Sequence, residues 1–308
     1  MAVNSKKTGV CLALLSVSIW AGNFVLARIA PGTMDAISLT FLRWLVASML
    51  VLPFVVLPLI QAWRRVVMHG LTIAIMSLLG VVVFNLLVYQ SGHYLDAARM
   101  SLINAMSPVF IMILAGLFLA EQFTPRKLIG AAMGGGGVCL SIVGSNQVAS
   151  VDLVLGMGMM TVAAMAFSIY TLMFRKLYQE IDFMALVGAT FFIGTLMLLP
   201  VFIFNGIHSG FPELNRRNVM IVLYSGILAA LIAFIAWNLS VSIIGASRAG
   251  CIYFLMPVFA ALQSFTIIGE FPGWNAILAA PIVLLGVYIA VVQPPPPKSI
   301  VLPSSSRR

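Results

Sequence analysis

The chain has 308 residues, 62% of them hydrophobic and only 8% charged, with a formal net charge of +9 and a mean hydropathy of +1.10. Soluble domains are about 45–50% apolar and about 25% charged, so the composition excludes a water-soluble globular protein. The long unbroken apolar runs also exclude an outer-membrane barrel, whose strands alternate polar and apolar residues.

In chain order, Lys6 and Lys7 precede an apolar run that starts at Thr8. At about 20 residues it exceeds the 7–15 of a signal-peptide core and reads as a retained first span. Similar runs predict ten spans at 8–28, 36–59, 67–90, 96–119, 127–145, 153–174, 183–205, 217–240, 247–269 and 274–292. Ten spans of about 20 residues use roughly two thirds of the chain and leave almost nothing for an extramembrane domain. The proline run Pro294–Pro297 opens a tail, residues 294–308, expected to be an extended cytoplasmic stub.

Basic residues fall in pairs between the runs, at Lys6/Lys7, Arg64/Arg65, Arg126/Lys127, Arg175/Lys176 and Arg307/Arg308. With the N-terminus inside, 12 of the 17 basic residues lie on the cytoplasmic side. Four lie outside (Arg28, Arg99, Arg216 and Arg217), and Arg43 lies within a span. That bias predicts both termini in the cytoplasm, and it makes the net charge an orientation signal rather than a sign of nucleic-acid binding. The three cysteines, Cys11, Cys139 and Cys251, lie inside apolar runs and read as packing residues, not as a disulfide framework or a metal cluster.

A shift of 149 residues superposes Ala97, Arg99, Pro108, Val109, Phe110, Glu121, Ala131, Gly137, Val138 and Val143 on Ala246, Arg248, Pro257, Val258, Phe259, Glu270, Ala280, Gly286, Val287 and Val292. These ten identities fall within 47 ungapped positions. Apolar matches arise cheaply, so the Arg–Pro–Glu–Gly set at identical spacing carries the repeat. It predicts two halves, 1–148 and 149–293, of five spans each. An odd span number inverts the second half relative to the first, placing Glu121 inside and Glu270 outside. Inverted repeats imply a solute site near the midplane between the halves and alternating access by rocking one against the other. The expected fold is therefore all-α, a polytopic membrane protein of ten transmembrane helices in two inverted five-helix repeats.

The twice-occurring pattern A-x-R…P-V-F…E…G-V, with Ile19–Phe24 in span one and Thr40–Arg43 in span two, resembles the paired EamA-type repeats of the drug/metabolite transporter superfamily. Within it the chain is most similar to bacterial aromatic amino-acid exporters. The resemblance covers nearly the whole chain. It implies ten helices, a central cavity lined mainly by spans 1, 3, 4, 6, 8 and 9, and export of small metabolites from the inner membrane. One departure stands out: the shift of 149 places Phe192 opposite Arg43, so the halves are not functionally identical.

A solute site in a helical bundle needs polar or aromatic side chains at helical spacing away from the ends. Span one offers Ser16, Trp20, Asn23 and Ala27 on one face. Span three offers Asn85 and Tyr89, and span four offers Ser101, Asn104 and Pro108. Span eight offers Trp237 and Asn238. Span nine offers Tyr253, Met256 and Gln263, with Tyr253 at the repeat equivalent of Asn104. The competing reading is that these polar groups only bond neighbouring helices, at about 0.6 kcal/mol each. Trp44, Trp63 and Trp274 read as anchors at the membrane interface.

Arg43 is the one charge well inside a span, with no mid-span acid to neutralise it. It either attracts a solute carboxylate, acts structurally, or snorkels outward to lipid headgroups. Arg99 and Arg248 sit at helix starts, where a cation needs a partner, and Asp96 is the expected partner of Arg99. Pro108 and Pro257 each remove a helical hydrogen bond and should kink spans four and nine, as packing kinks or as bends toward the cavity. Gly134–Gly137 follows no strand and lacks a Lys-Ser/Thr partner, so it is no phosphate cradle. With Gly130 it reads as a close-packing surface of span five, against the same chain or a second copy. The triplet Asn238-Leu239-Ser240 fits a glycosylation acceptor but is membrane-embedded.

These features favour a secondary transporter or facilitator of amino acids and similar solutes. No ATP-binding motif occurs and no mid-span carboxylate suits proton transport, although His93 stands near the outer end of span three. A membrane enzyme would need clustered His, Asp or Glu, and His69, His93 and His208 share no motif. A scramblase or structural bundle is the alternative. No cofactor, metal or nucleic-acid partner is expected. The expected partners are a small-molecule solute and the bilayer, and one copy suffices for the cavity although a homodimer is compatible.

Overall fold

The computed structural model describes residues 2–29, 34–95, 97–119, 124–142, 151–269 and 274–291. Every regular element among them is helical. The first half begins with α1 (Ala2–Ile29) and α2 (Ala36–Met68). A rod follows in which α3 (Gly70–Ser77) passes through a π-helical stretch, Leu78–Val83, into α4 (Phe84–Ser91). Then come α5 (Ala97–Asn104), α6 (Ser107–Phe118) and α7 (Pro125–Ile142). The second half begins with α8 (Val151–Leu177) and α9 (Phe183–Ser209). Next, α10 (Arg216–Leu223) passes through a longer π stretch, Tyr224–Ile232, into α11 (Ala233–Ile244). The last elements are α12 (Ala246–Tyr253), α13 (Met256–Ile268) and α14 (Trp274–Val291).

Against ten expected spans, eight of the described helices are long and apolar enough to cross a membrane. They cover the places of all but the fifth and tenth spans, which α7 and α14 occupy at 18 residues each. Arg126, Lys127 and four consecutive glycines dilute the hydropathy of α7. The second helix also outruns its predicted end at residue 59. The stretch to Met68 is rich in good helix formers, and α2 closes only at His69, whose N–H bonds the Arg65 and Val67 carbonyls.

The two halves are built from the same local devices. The Asp35 carboxylate accepts hydrogen bonds from Ile37 and Ser38 N–H at 3.0 and 2.9 Å and caps α2. Asp182, 147 residues later, does the same for α9 through Met184 and Ala185. Such a cap stabilises a helix start by about 1 kcal/mol. Pro53 and Pro200, also 147 apart, lie inside these two helices. Farther along the register becomes 149: each half has a rod with a π stretch, then a helix broken near its middle.

Those breaks correct the expectation of kinks. α5 ends at Asn104 and α6 restarts at Ser107. Its Pro108 lies in the first turn, where a missing N–H costs no hydrogen bond. The second half repeats this at Tyr253 and Met256, with Pro257 in the first turn of α13. Tight i→i+3 bonds bridge both gaps, from Met106 N–H to the Ile103 carbonyl and from Leu255 N–H to the Ile252 carbonyl, each at 3.0 Å. The prolines therefore begin helices rather than bend them.

Equivalent helices pack on one another. α2 lies along α9, α7 along α14, and the broken helices meet through α6 with α12 and α5 with α13. Gly130 and Gly134 of α7 pack within the chain. A methyl group on Gly286 of α14 would stand 2.8 Å from the Gly130 carbonyl oxygen and the Gly134 nitrogen, so the two backbones touch. Cys251 is buried, but Cys11 is exposed, contrary to its reading as an internal packing residue.

Candidate functional site

Aromatic rings from both halves meet at the centre. Trp20 of α1 has ring centroids around it at 5.3 Å (Phe167), 5.2 Å (Phe234), 5.6 Å (Trp237) and 6.1 Å (Tyr253). Trp237 and Tyr253 are edge-to-face at 5.4 Å, and Phe167 lies 5.6 Å from Tyr253. Edge-on and tilted contacts of this kind suit the quadrupole of each ring. All five side chains are buried, Trp20 the most exposed at 5%. The expected open cavity is therefore absent at these residues: the rings close on one another.

Polar groups ring this cluster in pairs that repeat between the halves. The Tyr89 hydroxyl donates to Asn23 Oδ1 at 2.8 Å, joining α4 to α1. In the second half Asn238 Nδ2 donates to the Tyr170 hydroxyl, joining α11 to α8. Tyr89 and Asn238 are 149 residues apart and Asn23 and Tyr170 are 147 apart. The same bond is thus made twice, with tyrosine and amide exchanged. Asn104 Nδ2 donates to the hydroxyl of its own equivalent, Tyr253, at 2.6 Å. Ser48 and Thr195, equivalent on α2 and α9, hydrogen-bond at 2.9 Å.

The π stretches bring carbonyls into this polar shell. Asn85 Nδ2 donates to the Gly80 and Val81 carbonyls at 3.0 and 2.8 Å. Trp20 Nε1–H donates to the Ala229 carbonyl of the other π stretch at 2.9 Å. A widened turn leaves carbonyls without their usual intrahelical donor, and side chains near the site supply one.

Of the other expected site residues, Ser101 and Met256 are buried on the broken helices. Gln263 stands apart from the rings, half-buried on α13, and donates to the Ser18 carbonyl at 2.9 Å. Arg99 and Arg248 are half-buried at the starts of α5 and α12. Asp96, Glu121, Glu270, the segment between the halves and the tail lie outside the described residues. His93 is exposed on the turn after α4, away from the cluster. Among the described residues no three His, Cys, Asp or Glu side chains gather where a metal ion could be held.

Two expectations on α2 are overturned. Trp44 is no interface anchor: it is fully buried, 4.8 Å from the Phe191 ring and 4.9 Å from that of Phe234. Trp63 and Trp274 are exposed. Arg43 does not snorkel, being 1% exposed with Nη1 donating to the Tyr89 hydroxyl and its guanidinium 5.7 and 5.5 Å from the Trp44 and Tyr89 rings. Its counterpart is also not Phe192. Arg43 stands eight residues after the cap Asp35, and eight residues after Asp182 stands Thr190. Three polar atoms here remain unmet, the donors Arg43 Nε and Trp44 Nε1 and the acceptor Asn238 Oδ1.

The sequence reading missed Phe167, Tyr170 and Phe234. Phe167, Tyr170 and Phe174 form an i, i+3, i+7 stripe on α8, a signal that was present. An apolar groove of about 350 Å³ lies elsewhere, between α1, α2 and the Leu231–Leu239 stretch. Its lining is purely apolar and offers nothing to orient a polar solute.

Comparison with known proteins agrees with this architecture. A protein of Archaeoglobus fulgidus called an "uncharacterized transporter" is 27% identical over 94% of this chain and 99% of its own. A "probable terminal-alkyne amino-acid exporter" of Streptantibioticus cattleyicolor is 25% identical over 90% of this chain and 91% of its own. A "probable amino-acid metabolite efflux pump" of Escherichia coli is 22% identical over 93% and 95% respectively. A crystal structure at 16% identity superposes with a TM-score of 0.71 over 92% of this chain and 96% of its own, a likeness of fold. The model of the EamA-like transporter family matches residues 7–143 and again 154–292, one match to each half that shares caps, π stretches and helix breaks, and this multi-pass membrane chain belongs to that family.

Proposed function

We propose that the protein exports amino acids, aromatic or other apolar ones above all, and related small metabolites across the bacterial inner membrane. Two inverted five-helix repeats alternate access to a site between them, with both termini in the cytoplasm. The protein is a transporter and not an enzyme, and its partners are the solute and the bilayer. The observation that carries this reading is the Asn104–Tyr253 hydrogen bond beside the Trp20 cluster. A bond between repeat equivalents lies where a pseudo-two-fold axis would pass, and midplane sites in such folds lie on that axis. The names of two relatives, a "probable terminal-alkyne amino-acid exporter" and a "probable amino-acid metabolite efflux pump", support the solute class.

The rings and amides suit an apolar solute with a few polar groups. Because the rings are packed together, the transport cycle has to part Trp20, Phe167, Trp237 and Tyr253 to admit a solute, and rocking of the halves does this. One copy of the chain holds the whole cluster. Efflux of a labelled amino-acid panel from liposomes containing the purified protein tests the proposal. Faster loss of phenylalanine, tyrosine, tryptophan and leucine than from protein-free liposomes is expected. Equal loss of every solute with and without protein overturns it.

A further inference from the structure

A guanidinium buried to 1% exposure is an unusual component of a membrane helix. Arg43 makes one hydrogen bond, from Nη1 to Tyr89, and its Nε–H meets nothing. Among the described residues no carboxylate pairs with it, and its charge faces the Trp44 and Tyr89 rings, with the Tyr224 hydroxyl also near. An unpaired buried cation is costly wherever it occurs, and charges inside membrane spans mark solute or ion paths.

Packing does not explain the residue. The second half fills the corresponding place on α9 with Thr190, whose hydroxyl simply bonds its own helix at the Leu186 carbonyl, 2.7 Å away. α2 and α9 lie side by side, so the helix pair forms with a charge on one member and none on the other. What the charge adds is a free donor edge. Guanidinium N–H groups form a planar fork that matches both oxygens of a carboxylate. With Nη1 held by Tyr89, the edge carrying Nε–H remains available.

The location connects this edge to the rings. Tyr89 bonds Asn23, three residues from Trp20 on the same helix. Trp44 contacts Phe234, which contacts Trp20. We infer that Arg43 binds the carboxylate of the transported solute, so that the site takes carboxylate-bearing solutes and rejects their amides and esters. This rests on the transport reading above and adds the group by which the solute is recognised. Only the first half contributes the cation, so the solute binds in one orientation relative to the two halves.

The test uses purified full-length protein in detergent, with labelled phenylalanine and phenylalaninamide as probes and equilibrium binding as the readout. Wild type should bind the acid about 10-fold or more tighter than the amide, the scale of one charge-assisted hydrogen bond. Arg43→Gln should bring acid binding down to the level of the amide while leaving the amide unchanged, and Arg43→Lys should keep part of the preference. Equal wild-type binding of the two probes, binding of neither, or a proportional loss of both in Arg43→Gln overturns the inference. Where Arg43→Gln does not fold, the wild-type preference and its partial retention in Arg43→Lys decide. Acid-selective binding without movement in liposomes would sink the transport reading alone. Transport of acid and amide alike would sink this inference alone.

Discussion

Asn104 and Tyr253 occupy equivalent positions 149 residues apart, and the amide of one donates to the hydroxyl of the other at 2.6 Å. Both are fully buried, so each depends on its partner. Tyr253→Phe removes the acceptor and should cost about 1–3 kcal/mol, the penalty of a buried donor left unmet. Asn104→Leu combined with Tyr253→Phe should recover part of that loss. Thermal unfolding in detergent measures both, and a Tyr253→Phe protein that melts like wild type would show that the bond stabilises nothing.

Trp20 is held by four ring contacts and by its indole bond to the Ala229 carbonyl. Trp20→Ala leaves a void and should cost about 3–5 kcal/mol. Trp20→Phe should cost less, losing chiefly the indole bond. Transport of phenylalanine should fall more than that of alanine in Trp20→Ala, because lost ring contact scales with solute ring area. An unchanged melting temperature, or equal loss for both solutes, would contradict the packing and the solute assignment respectively.

Periodicity and scarce charge made much of this legible. The apolar runs located the helices, and the Arg–Pro spacing located the two equivalent helices, which break before their prolines instead of kinking at them. Trp20, Asn104 and Tyr253 were visible as polar or aromatic residues in otherwise apolar runs. The π stretches were not, because Leu78–Val83 and Tyr224–Ile232 carry ordinary apolar sequence. Arg43 and Trp44 misled for a related reason. Trp44 packs on Phe191 and Phe234 of the other half and Arg43 bonds Tyr89 of α4, and span two gives no hint of these partners. A single shift of 149 also hid the 147 register, which links Asp35 with Asp182 and Asn23 with Tyr170.

The α7–α14 contact predicts a sharp contrast between two glycines. Gly286→Ala drives a methyl group into the Gly130 and Gly134 backbone and should cost about 1–3 kcal/mol. Gly136→Ala, on α7 with open space around it, should be neutral or stabilise by up to about 1 kcal/mol through helix propensity. Equal melting temperatures for the two variants would refute the close approach.

Ser48 and Thr195 place their hydroxyl oxygens 2.9 Å apart across α2 and α9. A Ser48→Cys, Thr195→Cys pair in a background with the native cysteines replaced by serine should oxidise to a disulfide. A mobility change reversed by reductant on a denaturing gel reports it. Failure to cross-link under oxidant would mean that these equivalent helices do not adjoin here.

Counterflow of labelled phenylalanine into proteoliposomes preloaded with unlabelled amino acids tests the central claim most directly. The account predicts label accumulation above protein-free liposomes, with tyrosine, tryptophan and leucine competing. An apolar site changes binding by only about 1–3 kcal/mol per methylene, so close analogues cannot be excluded sharply. Absence of exchange, or exchange confined to one amino acid with its analogues rejected by more than about 10⁴-fold, would contradict it.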